Sequence, residues 1–239
     1  MKPILECSAF ELADQIRTKL RSSLEIVEVH IEEIQKWNPE LNALVQDNFA
    51  AARHEAIACD QKLKSGDFDV TKFPPLFGVP YTMKEMITVS GFKHTLGSVH
   101  RREALADRDA SVVERLRNAG AILLGTTNVP ELGFWFECAN PIYGRTNNPY
   151  DLSRTSGGSS GGEAALIGAG ASPFGIGSDI GGSIRMPAAF CGIFGHKPSR
   201  NVIPLTGHFP LYFENASDWS GEKYPLTVLG PMSRRASDL

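Results

Sequence analysis

Apolar residues at positions 1–70 recur every three or four residues, the spacing of amphipathic helices. Ser8 with Glu11 and Ser22 with Glu25 fit the capping-box pattern, in which serine and glutamate satisfy free backbone amides at a helix start. The apolar positions expected to pack into the core are Phe10, Ala13, Ile16, Leu20, Val27, Ile31 and Ile34. Asn38-Pro39 predicts the end of the second helix, because proline cannot supply a helical hydrogen bond.

A third helix is predicted over residues 47–66, with Gly66 as its C-terminal cap. Beyond residue 70 the pattern changes to short apolar runs that alternate with helical stretches. Extended chain is predicted at 76–87, 121–125 and 173–179, and helices at 109–120 and 161–171. Asp109 is the expected cap of the helix at 109–120, and Gly120 lies just past its end. This alternation indicates an α/β fold.

The sequence shows no internal repeat and no clear domain boundary. We therefore interpret residues 1–70 as a helical segment of the same domain as residues 71–239, which form its core. At 239 residues the chain is long enough to bury a sizeable core.

Composition excludes several classes of function. Lysine plus arginine number 24 against 27 acidic residues, and no basic block beyond His100-Arg101-Arg102 suggests a nucleic-acid surface. No apolar run is long enough for a transmembrane helix, and the acidic N-terminal positions do not resemble a secretory signal. The four cysteines are widely spaced, which favours reduced thiols over disulfides or a metal site. A cytoplasmic location is expected, and peripheral membrane association stays open.

Residues 154–168, RTSGGSSGGEAALIG, raise the question of whether a glycine-rich stretch is a linker or a rigid loop. Ten of the 23 glycines lie between Gly157 and Gly182, so the enrichment is local. A linker has polar, irregular flanks. Here the glycines lead directly into an apolar helix that begins near Glu163, which favours a rigid functional loop.

Two general motifs compete for this loop. The nucleophile-elbow pattern G-x-S-x-G fits twice, at 157–161 and 158–162. That motif needs a strand directly before the serine, and residues 147–156 (NNPYDLSRTS) are typical of turns. A phosphate-binding loop is excluded, because the G-x-x-x-x-G-K-[ST] pattern is absent.

The downstream stretch GSDIGGSIRMPAAFCGIFGHKPS, residues 177–199, places a second glycine pair before Ser183. Together with GGSSGGE it resembles the amidase signature family. The resemblance covers the chain from about residue 75 onward and is carried by GVPYTMKE, DASVVERLRNAGAILLGTTNVPE, YGRTNNPYDLSRTSGGSSGG and GPMSRRASDL. The motifs are most similar to the fatty-acid amide hydrolase branch. Thr126, where many members carry lysine, and Asn201, where glycine is common, depart from the pattern.

The resemblance implies a mixed β-sheet core surrounded by helices and a Ser-Ser-Lys centre. Ser183 would be the nucleophile, Ser159 the bridging serine after a cis peptide from Gly158, and Lys84 the base. The amides of Ile180, Gly181, Gly182 and Ser183 would form the oxyanion hole, with Ser160, Asp179 and Arg185 in supporting positions. A lysine is more often a surface charge, and it serves as a base only when burial lowers its pKa.

The implied activity is hydrolysis of a small-molecule carboxylic amide, of which a fatty-acid amide is one candidate, through an acyl-enzyme and without metal or organic cofactor. One alternative is the amidotransferase subunit that releases ammonia from glutamine. Another is a non-catalytic binding protein that keeps the fold. The resemblance leaves open whether the chain forms a homo-oligomer.

The chain ends at RRASDL, where Ser237 and Asp238 are similar to the cap of a further helix. In the family that this chain resembles, the fold continues beyond the corresponding point. The domain is therefore expected to be incomplete at its C-terminal end.

Overall fold

The computed structural model describes residues 2–65, 73–208 and 226–239. The helices in these ranges are α1 (Ala9–Arg17), α2 (Ser23–Leu41), α3 (Phe49–Ser65), α4 (Ser111–Asn118), α5 (Gly161–Gly168) and α6 (Arg185–Phe190). The strands are β1 (Leu44–Asp47), β2 (Pro80–Lys84), β3 (Ile122–Thr127), β4 (Ala139–Asn140), β5 (Gly144–Arg145), β6 (Asn147–Asn148), β7 (Asp151–Thr155), β8 (Phe174–Asp179), β9 (Phe194–Gly195) and β10 (Val228–Ser233).

Six strands form the central sheet in the order β1-β3-β2-β8-β10-β9. Strand β2 lies parallel to both β3 and β8, whereas β1, β9 and β10 pair antiparallel to their neighbours. The α/β fold with a mixed sheet is therefore confirmed. Strand β1 was not predicted from the sequence, and it brings the N-terminal segment into this sheet.

Helices cover both faces of the sheet, and α2 and α3 contribute to both of the clusters that they form. Along β3, Leu123 packs with residues of α1 and α4, whereas Ile122 and Leu124 pack with residues of α2, α3 and α5. This alternation follows from the pleat, which turns successive side chains to opposite faces. Both faces are buried, which explains why β3 reads as a continuous apolar run.

The N-terminal helices follow the predicted caps, with two corrections. The Ser8–Glu11 capping box is present, and the Ser22 side chain accepts a hydrogen bond from the Glu25 amide. Phe10 and Leu20 are exposed, so they are not core residues. The buried face of α1 is instead formed by Ala9, Leu12, Ala13 and Ile16.

Helix α2 passes through Pro39 and ends at Leu41, slightly later than predicted. Asn42 ends the helix in the left-handed conformation, and the Asn38 side chain accepts hydrogen bonds from the amides of Ala43 and Leu44. The Asn38 side chain therefore stabilises the chain reversal after the helix. Gly66, the predicted cap of α3, lies outside the described residues.

Two further local predictions were wrong. Asp109 does not cap α4, whose N-cap is Ala110; the Asp109 carboxylate instead accepts hydrogen bonds from the Ser90 amide and Arg117. Residues 147–156 are not only turns, because β6 and β7 form a short hairpin there. Strand β7 is mostly exposed and separated from Ser159 by residues 156–158, so it does not supply the buried strand of a nucleophile elbow.

The carboxylate of Asp238 accepts hydrogen bonds from the backbone amides of Ala9 and Phe10, at 3.0 and 3.5 Å. Asp238 therefore contacts the N-terminus of α1, and the helix start expected at Ser237 and Asp238 stays a prediction. An acidic group at this position is favourable, since helix N-termini carry free amides and a partial positive charge. Within the described ranges, no helix combines the length and apolarity needed to cross a membrane.

Candidate active site

Lys84 ends strand β2 and is completely buried. Successive residues of the strand alternate, so Tyr81 and Met83 face one core, while Thr82 and Lys84 face α5. Burial lowers the pKa of Lys84 to about 7, because the charged ammonium loses its hydration. Lys84 is therefore a group that can accept a proton near neutral pH, as its predicted role requires.

The amine of Lys84 makes two hydrogen bonds, to the hydroxyl of Ser159 at 2.7 Å and to that of Ser178 at 2.9 Å. The Lys84–Ser159 contact joins two residues that lie 75 positions apart and that the sequence had paired through the family motif. Ser178 was not predicted. It precedes Asp179 on β8, and its proximity to Lys84 depends on the parallel pairing of β2 with β8.

The glycine-rich stretch before α5 is an ordered, buried loop, not a linker. The peptide between Gly158 and Ser159 is cis, as the family resemblance implied. A Cβ at Gly158 would lie 2.8 Å from the carbonyl oxygen of Trp135, and one at Gly162 would lie 2.5 Å from the Asn128 amide nitrogen. Glycine is therefore required where this loop passes directly against neighbouring backbone.

Ser160 occupies the N-cap position of α5, but its side chain does not cap the helix. Its hydroxyl instead accepts from the Ser178 amide and lies 3.3 Å from the Ser178 carbonyl oxygen, to which it donates. Its backbone amide donates to the carbonyl of Ser183 at 3.1 Å. Ser160 therefore connects the first glycine-rich loop to both β8 and the loop of Ser183.

The loop between β8 and α6, residues 180–184, is organised by the Asp179 carboxylate. Asp179 accepts hydrogen bonds from the amides of Gly182, Ile184 and Arg185 and from the guanidinium of Arg185 at 2.9 and 3.0 Å. The predicted Asp179–Arg185 pair is confirmed. Burial opposes ionisation of Asp179, but these donors outweigh it and lower its pKa to about 2. In this arrangement the Gly182 amide is directed at Asp179, and the oxyanion hole of residues 180–183 stays a prediction.

Asp179→Asn is expected to lower the free energy of unfolding at neutral pH by roughly 1–3 kcal/mol, because buried donors lose a charged acceptor. Since the pKa of Asp179 is lowered, this contribution is present above the ordinary carboxyl pKa of about 4 and is lost as the pH falls toward 2. Urea unfolding of the unaltered protein and of Asp179→Asn measures the difference in the free energy of unfolding. Asp151→Asn, which breaks an exposed pair with Arg154, is the matched control and is expected to have a smaller effect, because solvent screens that pair. Equal losses in the two variants would contradict the role of Asp179.

Ser183 lies on the wall of a cavity of about 200 Å³ that also exposes Ser159. The Ser183 hydroxyl has no hydrogen-bond partner among the described residues, so it is free to approach a ligand. The remaining lining residues are mostly apolar; they are Met86, Leu132, Gly133, Phe134, Trp135, Phe136, Ser178, Ile180, Gly181 and His208. Ser159 and Ser183 thus line one mostly apolar cavity, and Lys84 lies behind its wall, hydrogen-bonded to Ser159.

Glu163, the first acidic residue of α5, is completely buried on the same side of the sheet as Lys84. Its two carboxyl oxygens lie 2.7 and 2.9 Å from the hydroxyls of Thr82 and Thr127. Burial raises the pKa of Glu163 to about 8 despite these hydrogen bonds. The sequence identified Glu163 only as a charge near the loop. Strand alternation places Thr82 on the same face of β2 as Lys84, and this was the signal that a polar partner such as Glu163 lies against that face.

The fold and this site define a class of protein: an α/β fold in which Ser159, hydrogen-bonded to the buried Lys84, and Ser183 line one cavity next to two glycine-rich loops. The family model described as Amidase matches residues 25–239, and the chain therefore belongs to the amidase signature family. The resemblance seen in the sequence is thus confirmed.

Individual relatives agree with this assignment. The chain is 49% identical over 240 residues to fatty-acid amide hydrolase 2-B of Danio rerio, covering 99% of this chain and 44% of that protein. It is 46% identical over 241 residues to fatty-acid amide hydrolase 2 of Homo sapiens, covering 100% of this chain and 44% of that protein. A solved fatty acid amide hydrolase superposes with a TM-score of 0.89 at 30% identity, covering 100% of this chain and 41% of the other. The chain thus spans less than half the length of these relatives.

Proposed function

We propose that this chain carries the catalytic residues of a serine amide hydrolase, with Ser183 as nucleophile, Ser159 as proton relay and Lys84 as base. The observation that carries the proposal is the buried Lys84 amine, with a pKa of about 7, hydrogen-bonded to Ser159, which lines the same cavity as Ser183. A serine hydroxyl becomes a strong nucleophile when a neighbouring base removes its proton. The Ser-Lys pair supplies that base without a metal or organic cofactor.

The reaction follows from these roles. Ser183 attacks the amide carbonyl while its proton passes through Ser159 to Lys84. The negative oxygen of the tetrahedral intermediate is stabilised by the backbone amides of Ile180, Gly181 and Ser183, since that of Gly182 is bonded to Asp179. Removing one such donor costs about 2.7–4 kcal/mol. Ser159 then returns a proton to the leaving nitrogen, and the C–N bond breaks. Water attacks the acyl-Ser183 ester, and the acid leaves with the hydroxyl restored.

The lining of the cavity favours an apolar acyl group. Among the described lining residues none is aspartate, glutamate, lysine or arginine, whereas Met86, Leu132 and the aromatic run at 134–136 supply apolar surface. Glutamine carries two charged groups that such a wall would desolvate without compensation. The names of the fatty-acid amide hydrolase relatives agree with an apolar acyl amide as the substrate class.

The four cysteines have free thiols, and three of them are buried. Free thiols persist in reducing compartments. They therefore support the cytoplasmic location expected from the sequence.

A fluorophosphonate probe on the folded protein is expected to label Ser183, because the probe reacts with serines that a base has activated. Peptide mass spectrometry locates the adduct, and heat-unfolded protein, in which Lys84 no longer reaches Ser159, is the control. Labelling of Ser159 with Ser183 unmodified would support the nucleophile-elbow alternative. A folded protein with no labelled serine would support the non-catalytic alternative.

The substrate class is tested separately by turnover of amides that range from acetamide through oleamide to glutamine. Preferential release of ammonia from glutamine would favour the amidotransferase alternative over an apolar acyl amide.

A further inference from the structure

His208 is a buried residue of the cavity to which the family motifs gave no role. It is paired through an isolated antiparallel bridge with Ile87, which follows closely after Lys84 at the end of β2. The side chain is 1% exposed to solvent and lines the same cavity as Ser159 and Ser183. His208 is therefore a polar side chain placed at the proposed site of reaction by an element outside both glycine-rich loops.

Neither ring nitrogen of His208 has a hydrogen-bond partner within the described part of the chain. Burial, together with the nearby Lys84, keeps the pKa of His208 well below its usual value, so the ring is neutral. A neutral imidazole has one N–H donor and one unprotonated acceptor nitrogen. A buried polar group without a partner is unfavourable, and a ligand that supplies the partner recovers that cost.

The other polar side chains of the cavity are already engaged or already assigned. The hydroxyls of Ser159 and Ser178 accept hydrogen bonds from Lys84, and Ser183 is the proposed nucleophile. An amide substrate brings a carbonyl oxygen and, when primary or secondary, at least one N–H group. The backbone amides of Ile180, Gly181 and Ser183 are donors suited to the oxygen, but they cannot accept from the N–H.

We propose that His208 is a specificity-determining residue whose unprotonated ring nitrogen accepts a hydrogen bond from the N–H of the scissile amide. This inference rests on the proposed function of the site. It selects primary and secondary amides over esters and N,N-dialkyl amides, which have no N–H to donate. His208 is not the base, because Lys84 already occupies that position against Ser159.

Two substitutions separate this role from simple packing. His208→Leu keeps a branched side chain but removes the acceptor, whereas His208→Gln keeps an acceptor oxygen. With octanamide and methyl octanoate as matched substrates, His208→Leu is expected to lower the amide-to-ester ratio of kcat/KM by about 10- to 100-fold, since an amide N–H is left unpaired. His208→Gln is expected to change that ratio much less. A ratio that stays constant in His208→Leu, or that falls equally in both variants, would overturn the proposal.

NMR of the Ser183→Ala variant with isotope-labelled histidine gives a second readout that does not depend on turnover. The chain has six histidines, and the His208 signal is assigned by its loss in His208→Gln. Octanamide is expected to shift the ring-nitrogen resonance of His208, and N,N-dimethyloctanamide is expected not to. Equal shifts with both amides, or none with octanamide, would overturn the role of His208. Absence of fluorophosphonate labelling at Ser183 would instead contradict the proposed function itself.

Discussion

Replacing Ser183 by alanine is expected to reduce kcat/KM for amide hydrolysis on the order of 10⁶-fold, the loss that follows removal of a serine nucleophile in comparable hydrolases. The substitution removes the only atom that forms the acyl bond, and no other cavity hydroxyl can replace it, because Ser159 and Ser178 are held by Lys84. Steady-state release of free acid and amine from octanamide measures the effect.

The fold is expected to survive this change. The Ser183 hydroxyl has no hydrogen bond within the described residues, and the backbone contacts of its loop do not depend on it. Melting temperature is therefore expected to change little. Ser199→Ala, at an exposed serine, is the control and should retain full turnover. If Ser183→Ala hydrolyses the amide as well as this control, the nucleophile is another residue.

Lys84→Met is expected to lower kcat by about 10²- to 10⁴-fold, the usual contribution of a positioned general base. Methionine is similar in length and apolarity to a neutral lysine, so it fills the site without accepting a proton. In the unaltered protein, activity is expected to rise with pH through about 7, because the neutral form of Lys84 is the base. The rise should be absent from the residual activity of Lys84→Met. Lys62→Met, at an exposed lysine of α3, is the control for loss of charge.

The stability of the Lys84→Met variant gives a second test. The pKa of Lys84 is lower in the folded protein than the unperturbed value of about 10.4, so the folded state binds fewer protons between these values. Burial of Lys84 therefore opposes folding most strongly below about pH 7 and progressively less as the pH rises toward 10. The difference in melting temperature, Lys84→Met minus the unaltered protein, is therefore expected to decrease as the pH rises from about 7 toward 10. A difference that does not vary with pH would show that Lys84 is not buried in neutral form.

The three proposed catalytic residues could be named from the sequence because they lie in contiguous motifs. Lys84, Ser159 and Ser183 each sit inside a stretch that the family resemblance places without knowledge of the sheet. The helix starts at Ser8 and Ser22 were also predictable, since capping chemistry is local.

The features that the sequence missed depend on contacts between distant segments. Strand β1 forms because Leu44 pairs with Thr127, far along the chain, and so short a strand carries little pattern of its own. Ser178 meets Lys84 only through the register of β2 and β8. Helical periodicity also assigned Phe10 and Leu20 to the core, although both are exposed. Only the packing of the folded chain shows where the buried face of the helix ends.

Strand β10 lies between β8 and β9 in the sheet, although it is the last of these strands to be made. During synthesis on the ribosome, β8 leaves the exit tunnel well before β10, and at the usual pace of translation the delay lasts for seconds. In that interval the edge of β8 that later pairs with β10 has no partner, and an unpaired strand edge can pair with other chains. Slow codons between positions 179 and 228 would therefore lengthen the time in which the nascent chain depends on chaperones.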